Sequence, residues 1–131
     1  MTIKSLLKQS PGGMKLKQVL FYIDHLSSFE RGASLKLSML RSKRSAVSEC
    51  AKGLDTQIEK LKEAIKVEAD DDMQDELKDT LNEFEETKRI YTEEIEDFYS
   101  EIEELNKQLD AIHKKLVIAE KRKATLLHLQ D

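Results

Sequence analysis

Proline occurs once and glycine four times in 131 residues, tryptophan is absent, aromatics make up 5%, and Cys50 is the single cysteine. So few helix breakers leave long stretches free to be helical, and so few aromatics leave little volume for a thick globular core. A lone thiol closes no internal disulfide and supplies no multi-cysteine zinc site. Nowhere does the chain run 18 or more residues without charge and mostly apolar, so no membrane-spanning helix is expected. The opening residues 1–8 are too short and too charged for a signal peptide, and the chain reads as cytoplasmic.

What the chain does have is charge. Asp, Glu, Lys and Arg make up 37% of it, against roughly 25% in ordinary globular domains. Near the start, Ser10-Pro11-Gly12-Gly13 forms strong punctuation. Residues 1–13 are therefore expected to be a flexible tail, and 14–131 a single helical unit.

From Leu16 onward apolar residues step by three and four. One heptad register places Leu16, Val19, Ile23, Leu26, Glu30, Ala33, Leu37, Leu40, Arg44, Val47, Ala51, Leu54, Ile58, Leu61 and Ile65 at a and d positions. Beyond the acidic stretch Ala69-Asp70-Asp71-Asp72, a second register runs through Leu77, Leu81, Phe84, Lys88, Tyr91, Ile95, Phe98, Ile102, Leu105, Leu109, Ile112, Leu116, Ala119, Lys123 and Leu126. Two such runs joined by a short acidic segment predict an all-α fold, a long antiparallel two-helix coiled-coil hairpin. Its arms should cover about 14–68 and 73–129, with the turn at 69–72. Pairing Ile65 with Leu77 sets small residues against large ones along the seam, Ala51 opposite Tyr91 and Ala33 opposite Leu109. In this register Arg44 falls opposite Phe98, a cation–π geometry, and Lys43 opposite Glu101. Ser27-Ser28-Phe29-Glu30 is a capping box followed by Gly32, so the first helix is expected to bend or break near Ser27–Gly32, and, because the heptad phase continues across it, to bend rather than break.

Charge is unevenly distributed. Residues 53–105 hold 6 Lys and Arg against 20 Asp and Glu, net -14, so the remainder of the chain is net +10. Such an arrangement should be steered toward partners in a salt-dependent way. Glu93, Glu94, Glu96 and Asp97 are expected to face solvent or a partner. Phe21, Leu35 and Met39 fall on the outer face of the first arm, Tyr22 and Phe29 flank its seam, and Val117, Ile118, Leu127 and Leu129 are off-register in the second. A two-helix hairpin would expose them. They are expected to bury a broken-back helix, pair two hairpins or dock a protein partner, and Phe21, Tyr22, Phe29, Leu35 and Met39 with Lys36, Arg41 and Lys43 form the expected partner-binding set.

Catalysis has no visible carriers. The sequence holds no phosphate-binding glycine loop, nucleophile elbow, His-Glu-x-x-His or Cys-x-x-Cys. His25, His113 and His128 are far apart in sequence and lack ligand spacing, and the aspartate run lacks the spacing and glycine of a calcium loop. No enzyme activity, metal or cofactor is expected. Lys15, Lys17, Arg31 and Lys36 could meet phosphates, but the chain is net -4 and nucleic acid is the weaker partner class.

A chain of this size made of one antiparallel hairpin resembles the small coiled-coil stalk proteins of type III secretion and flagellar export. The resemblance covers about residues 16–126 and rests on size, architecture and heptads. It implies a cytoplasmic rod within an export ATPase ring that also contacts the export gate and chaperones. The Ser10–Gly13 break departs from that family's opening. A second resemblance joins residues 106–126 to the hairpin of phage-shock and ESCRT-III-like membrane-remodelling proteins, with the turn bearing Ile3, Leu6 and Leu7 as a weak peripheral anchor. The expected function is a non-enzymatic scaffold or adaptor, narrowed by the first resemblance to an export-apparatus stalk, with a membrane-associated self-assembling hairpin of phage-shock type or a nucleic-acid-associated accessory subunit as alternatives.

Overall fold

The structure, a computed structural model describing residues 2–130, is all-α. Helix α1 spans Ile3–Lys8, a 3₁₀ turn covers Pro11–Gly13, and two long helices follow, α2 over Leu16–Val67 and α3 over Asp71–Gln130. The long helices pack against each other as a helical hairpin.

Each helix start has a local cause. Thr2 caps α1, its hydroxyl accepting from Ser5 N–H at 3.1 Å. At α2 the Gln18 side chain reaches back to accept from Lys15 N–H at 3.0 Å, the return half of a capping box. At α3 the Asp70 carboxylate accepts from Asp72 N–H and Met73 N–H, and Asp71 and Asp72 occupy the first turn, where the helix dipole favours negative charge. The acidic stretch therefore starts α3 and shortens the connection to three residues, 68–70.

Helix α2 continues unbroken through Gly32. The Ser27–Glu30 box begins no new helix, because the apolar seam keeps its phase there and burial of Leu26, Ala33 and Leu37 outweighs the local signal. Every a and d position of both registers is buried or half-buried, Glu30, Arg44, Lys88 and Lys123 included.

Contacts divide the chain into two units, residues 1–39 with 102–131 and residues 40–101. The first has three layers. Its core joins Leu6 of α1, Val19, Tyr22 and Leu26 of α2, and Ile112 and Ala119 of α3, with Ile3, Leu7, Met14 and Phe29 packed around them. The expectation of a flexible tail at 1–13 gives way here. Ile3, Leu6 and Leu7 form an apolar edge, and the groove flanking the long-helix seam receives it, leaving Leu6 1% exposed. In the second unit, Leu40 and Ile58 are buried and the other seam residues half-buried, since a seam residue between two helices has neighbours on one side only.

Candidate interaction surface

Residues 2–14 are held in the first unit by three long-range hydrogen bonds. Tyr22 Oη donates to the Leu6 carbonyl at 2.9 Å, Lys115 Nζ to the Gln9 carbonyl at 2.9 Å, and Arg122 Nε to the Met14 carbonyl at 2.9 Å. The Gln9 and Met14 carbonyls have no backbone donor of their own, while the Leu6 carbonyl accepts a second bond, from Gln9 N–H at 3.2 Å. Burial raises the Tyr22 hydroxyl above its ordinary pKa, so it is a neutral donor.

This geometry corrects the expected binding set. Tyr22 is 2% exposed and belongs to the core, and Phe29 is half-buried, lining an open cleft with His25, Ser28, Gly32, Ala33, Lys36, Leu105 and Gln108. The apolar turn expected as a peripheral membrane anchor is likewise packed inside. Sequence reasoning missed Leu6, Lys115 and Arg122. The available signal was the match between an amphipathic turn and two aromatics, Tyr22 and Phe29, on one flank of the seam.

The other expected residues are exposed. Phe21, Leu35 and Met39 on α2 are 59%, 70% and 58% accessible, and Val117, Ile118, Leu127 and Leu129 on α3 are also open. His25 sits edge-on against Phe21, ring centroids 4.2 Å apart. Lys36, Arg41 and Lys43 are exposed and, among the described residues, make no ion pair, so the expected Lys43–Glu101 pair is not formed. No cation–π stack of Arg44 on Phe98 forms among the described residues. Arg44 lines a shallow cleft with Ile95, Glu96, Tyr99 and Ser100 instead.

Two polar side-chain contacts cross between the long helices among the described residues, one in each unit: His113 Nε2 with Glu30 Oε2 at 2.7 Å, and the ion pair of Lys88 with Asp55. Both lie one residue from the pairing expected by register, which put His113 near Phe29 and Lys88 opposite Leu54. Lys88 reaches out of the seam to Asp55, whose hydrogen bond and charge hold its pKa above the ordinary lysine value. The remaining pairs are between neighbouring turns of one helix. Of the acidic group, Glu93 pairs with Arg89, while Glu94, Glu96 and Asp97 are exposed and, among the described residues, without an ion-pair partner.

Comparison with protein families, curated proteins and solved structures gave no match. The surface must be read from its own chemistry. The unit of residues 1–39 and 102–131 is net +5 and bears most of the exposed large apolar side chains, whereas residues 40–101 are net -9. Among the described residues no helix is long and apolar enough to cross a membrane.

Proposed function

We propose that the chain is a non-enzymatic scaffold or adaptor, a coiled-coil hairpin that joins protein partners. The observation that carries this reading is the set of large apolar side chains outside the seam: the hairpin and α1 satisfy their own core, yet Phe21, Leu35, Met39, Val117, Ile118 and Leu129 still lie open beside a basic surface. An exposed set of that size favours a partner-binding face over a merely solvated one. The acidic stretch Glu93–Asp97 supplies a second surface of opposite sign, suited to a basic partner.

Affinity capture at low and high salt tests the role. A defined protein should be retained at low salt, released at high salt, and lost when Val117 and Ile118 are replaced by Glu. Charge reversal at Glu93, Glu94, Glu96 and Asp97 should weaken a basic partner selectively. Retention of nucleic acid and no protein would move the role to the accessory class, and retention of neither would overturn it. The narrower stalk reading requires salt-sensitive binding to a ring ATPase.

A further inference from the structure

We propose that two copies of this chain pair antiparallel through the outer face of α2, centred between Gly32 and Leu35. Along that face, at the heptad c and f positions, stand Gln18, Phe21, His25, Ser28, Gly32, Leu35, Met39, Ser42 and Ala46, without a single charge in a chain that is 37% charged. The corresponding face of α3 carries Asp, Glu or Lys at ten of its sixteen c and f positions from Glu76 to His128, interrupted by Ile90, Ser100, Ala111, Ile118, Thr125 and His128. The α2 stripe therefore departs from an ordinary solvated face. Its spacing, alternating three and four, is that of a second seam.

The occupant follows from the order of sizes. Laid antiparallel on itself with Gly32 opposite Leu35 of the second copy, the stripe puts Ser28 opposite Met39, His25 opposite Ser42 and Phe21 opposite Ala46. From Phe21 to Ala46 every large side chain meets a small one, with Gln18 opposite Glu49 at the ends, and the two-fold repeats each pair, which is what an isologous interface requires. Phe21, Leu35 and Met39, the large members, are all more than half exposed, and the position of Gly32 is open, with nothing within 4 Å of where a Cβ would be.

Charge agrees with the same register. The flanking positions bring Lys36 beside Phe29 of the second copy and Arg31 beside Ser38, so the basic residues nearest the centre do not face each other, and the one like-charge pair, Lys17 with Lys52, falls at the ends. Shifting the register by one heptad would place Lys36 against itself in the second copy. Pairing through α2 leaves Val117, Ile118 and Leu129 of α3 for a different protein, so this inference does not rest on the proposed role.

Sedimentation equilibrium and light scattering on the isolated chain test it, read from low concentration to about 100 µM with Kd as the measure. The wild type should reach twice the 15.1 kDa chain mass. Gly32→Leu should raise the helix propensity of α2 yet weaken pairing at least about tenfold, because two leucines then meet at the centre. Gly32→Leu combined with Leu35→Ala should restore it, since a large residue again faces a small one. Leu35→Glu, at an exposed site that leaves the core untouched, should give a folded monomer by circular dichroism. A wild-type monomer throughout the range, a Gly32→Leu dimer of undiminished affinity, or a double variant no tighter than the single would each overturn the proposal.

Discussion

The Tyr22 hydroxyl donates to the carbonyl oxygen of Leu6 at 2.9 Å, a side chain of α2 closing the backbone of α1. Both groups are buried, Tyr22 2% and Leu6 1% exposed, so the bond forms out of reach of water. It joins residues 16 apart in sequence and shares the Leu6 carbonyl with the Gln9 N–H that caps α1 at 3.2 Å.

Tyr22→Phe should therefore cost about 1 kcal/mol, the net worth of one buried hydrogen bond, since the Leu6 carbonyl keeps its bond from Gln9 N–H. The ring still fills its place, so the loss should be local: faster amide exchange over residues 2–14 with the long helices protected as before. Uniform loss of protection across α2 and α3 would show instead that the hydroxyl supports the whole hairpin.

Alkaline titration checks the same bond by another route. Burial raises the folded pKa of Tyr22 above its unfolded value, so its contribution is complete below the ordinary tyrosine range near ~10 and is lost as pH rises through the raised folded value. Phenolate absorbance should show one of the three tyrosines ionising late and cooperatively with release of α1. In Tyr22→Phe that late phase should vanish.

Leu6→Ala removes the side chain that plugs α1 into the core, at an expected cost of about 2–5 kcal/mol for a buried leucine. Because α1 is six residues long and has no stability of its own, the segment should detach. Trypsin should then cut at Lys4, Lys8 and Lys15 well before it cuts α2.

Gly53 lies inside α2 with nothing within 4 Å of where a Cβ would be. Gly53→Ala should accordingly stabilise the chain by about 1 kcal/mol through helix propensity alone, read as a rise in the thermal midpoint. A drop would mean that this face of α2 is covered in solution.

Lys88 occupies a seam position and directs its ammonium to Asp55, both side chains partly in water. The raised lysine pKa means the pair contributes below the ordinary lysine range and is lost as pH climbs through the folded value. Exposure keeps that contribution small. Lys88→Met, which keeps the stem and adds apolar contact to the seam, should leave the thermal midpoint equal or higher. A clear fall would give Lys88 a part in fixing the register.

The buried face of each long helix was legible in the sequence, because period and phase are carried by side-chain type: Ile58 and Leu109 are buried where the heptads put them, and Glu30 and Lys88 reach out to His113 and Asp55, whereas the cross-helix partners of Lys43 and Arg44 were not. The packing of residues 2–14 was not. It depends on carbonyls of Leu6, Gln9 and Met14, and a backbone acceptor has no sequence signature. Tyr22 and Phe29 accordingly read as partner contacts, since a groove-filling aromatic and a docking aromatic share one heptad position. At the Ser27–Glu30 box two sequence signals conflicted, and the continuous heptad phase, which favoured one helix, prevailed over the local cap.

The grip on Gln9 and Met14 comes from Lys115 and Arg122, 106 and 108 residues downstream. During synthesis at about 5–20 residues per second, residues 2–14 are consequently made roughly 5–20 s before the side chains that hold them exist. Throughout that interval Ile3, Leu6 and Leu7 have no groove to enter, and the segment is an amphipathic turn open to whatever meets the nascent chain. Its docking is a late, long-range step, closing only after α3 has been made almost to its end.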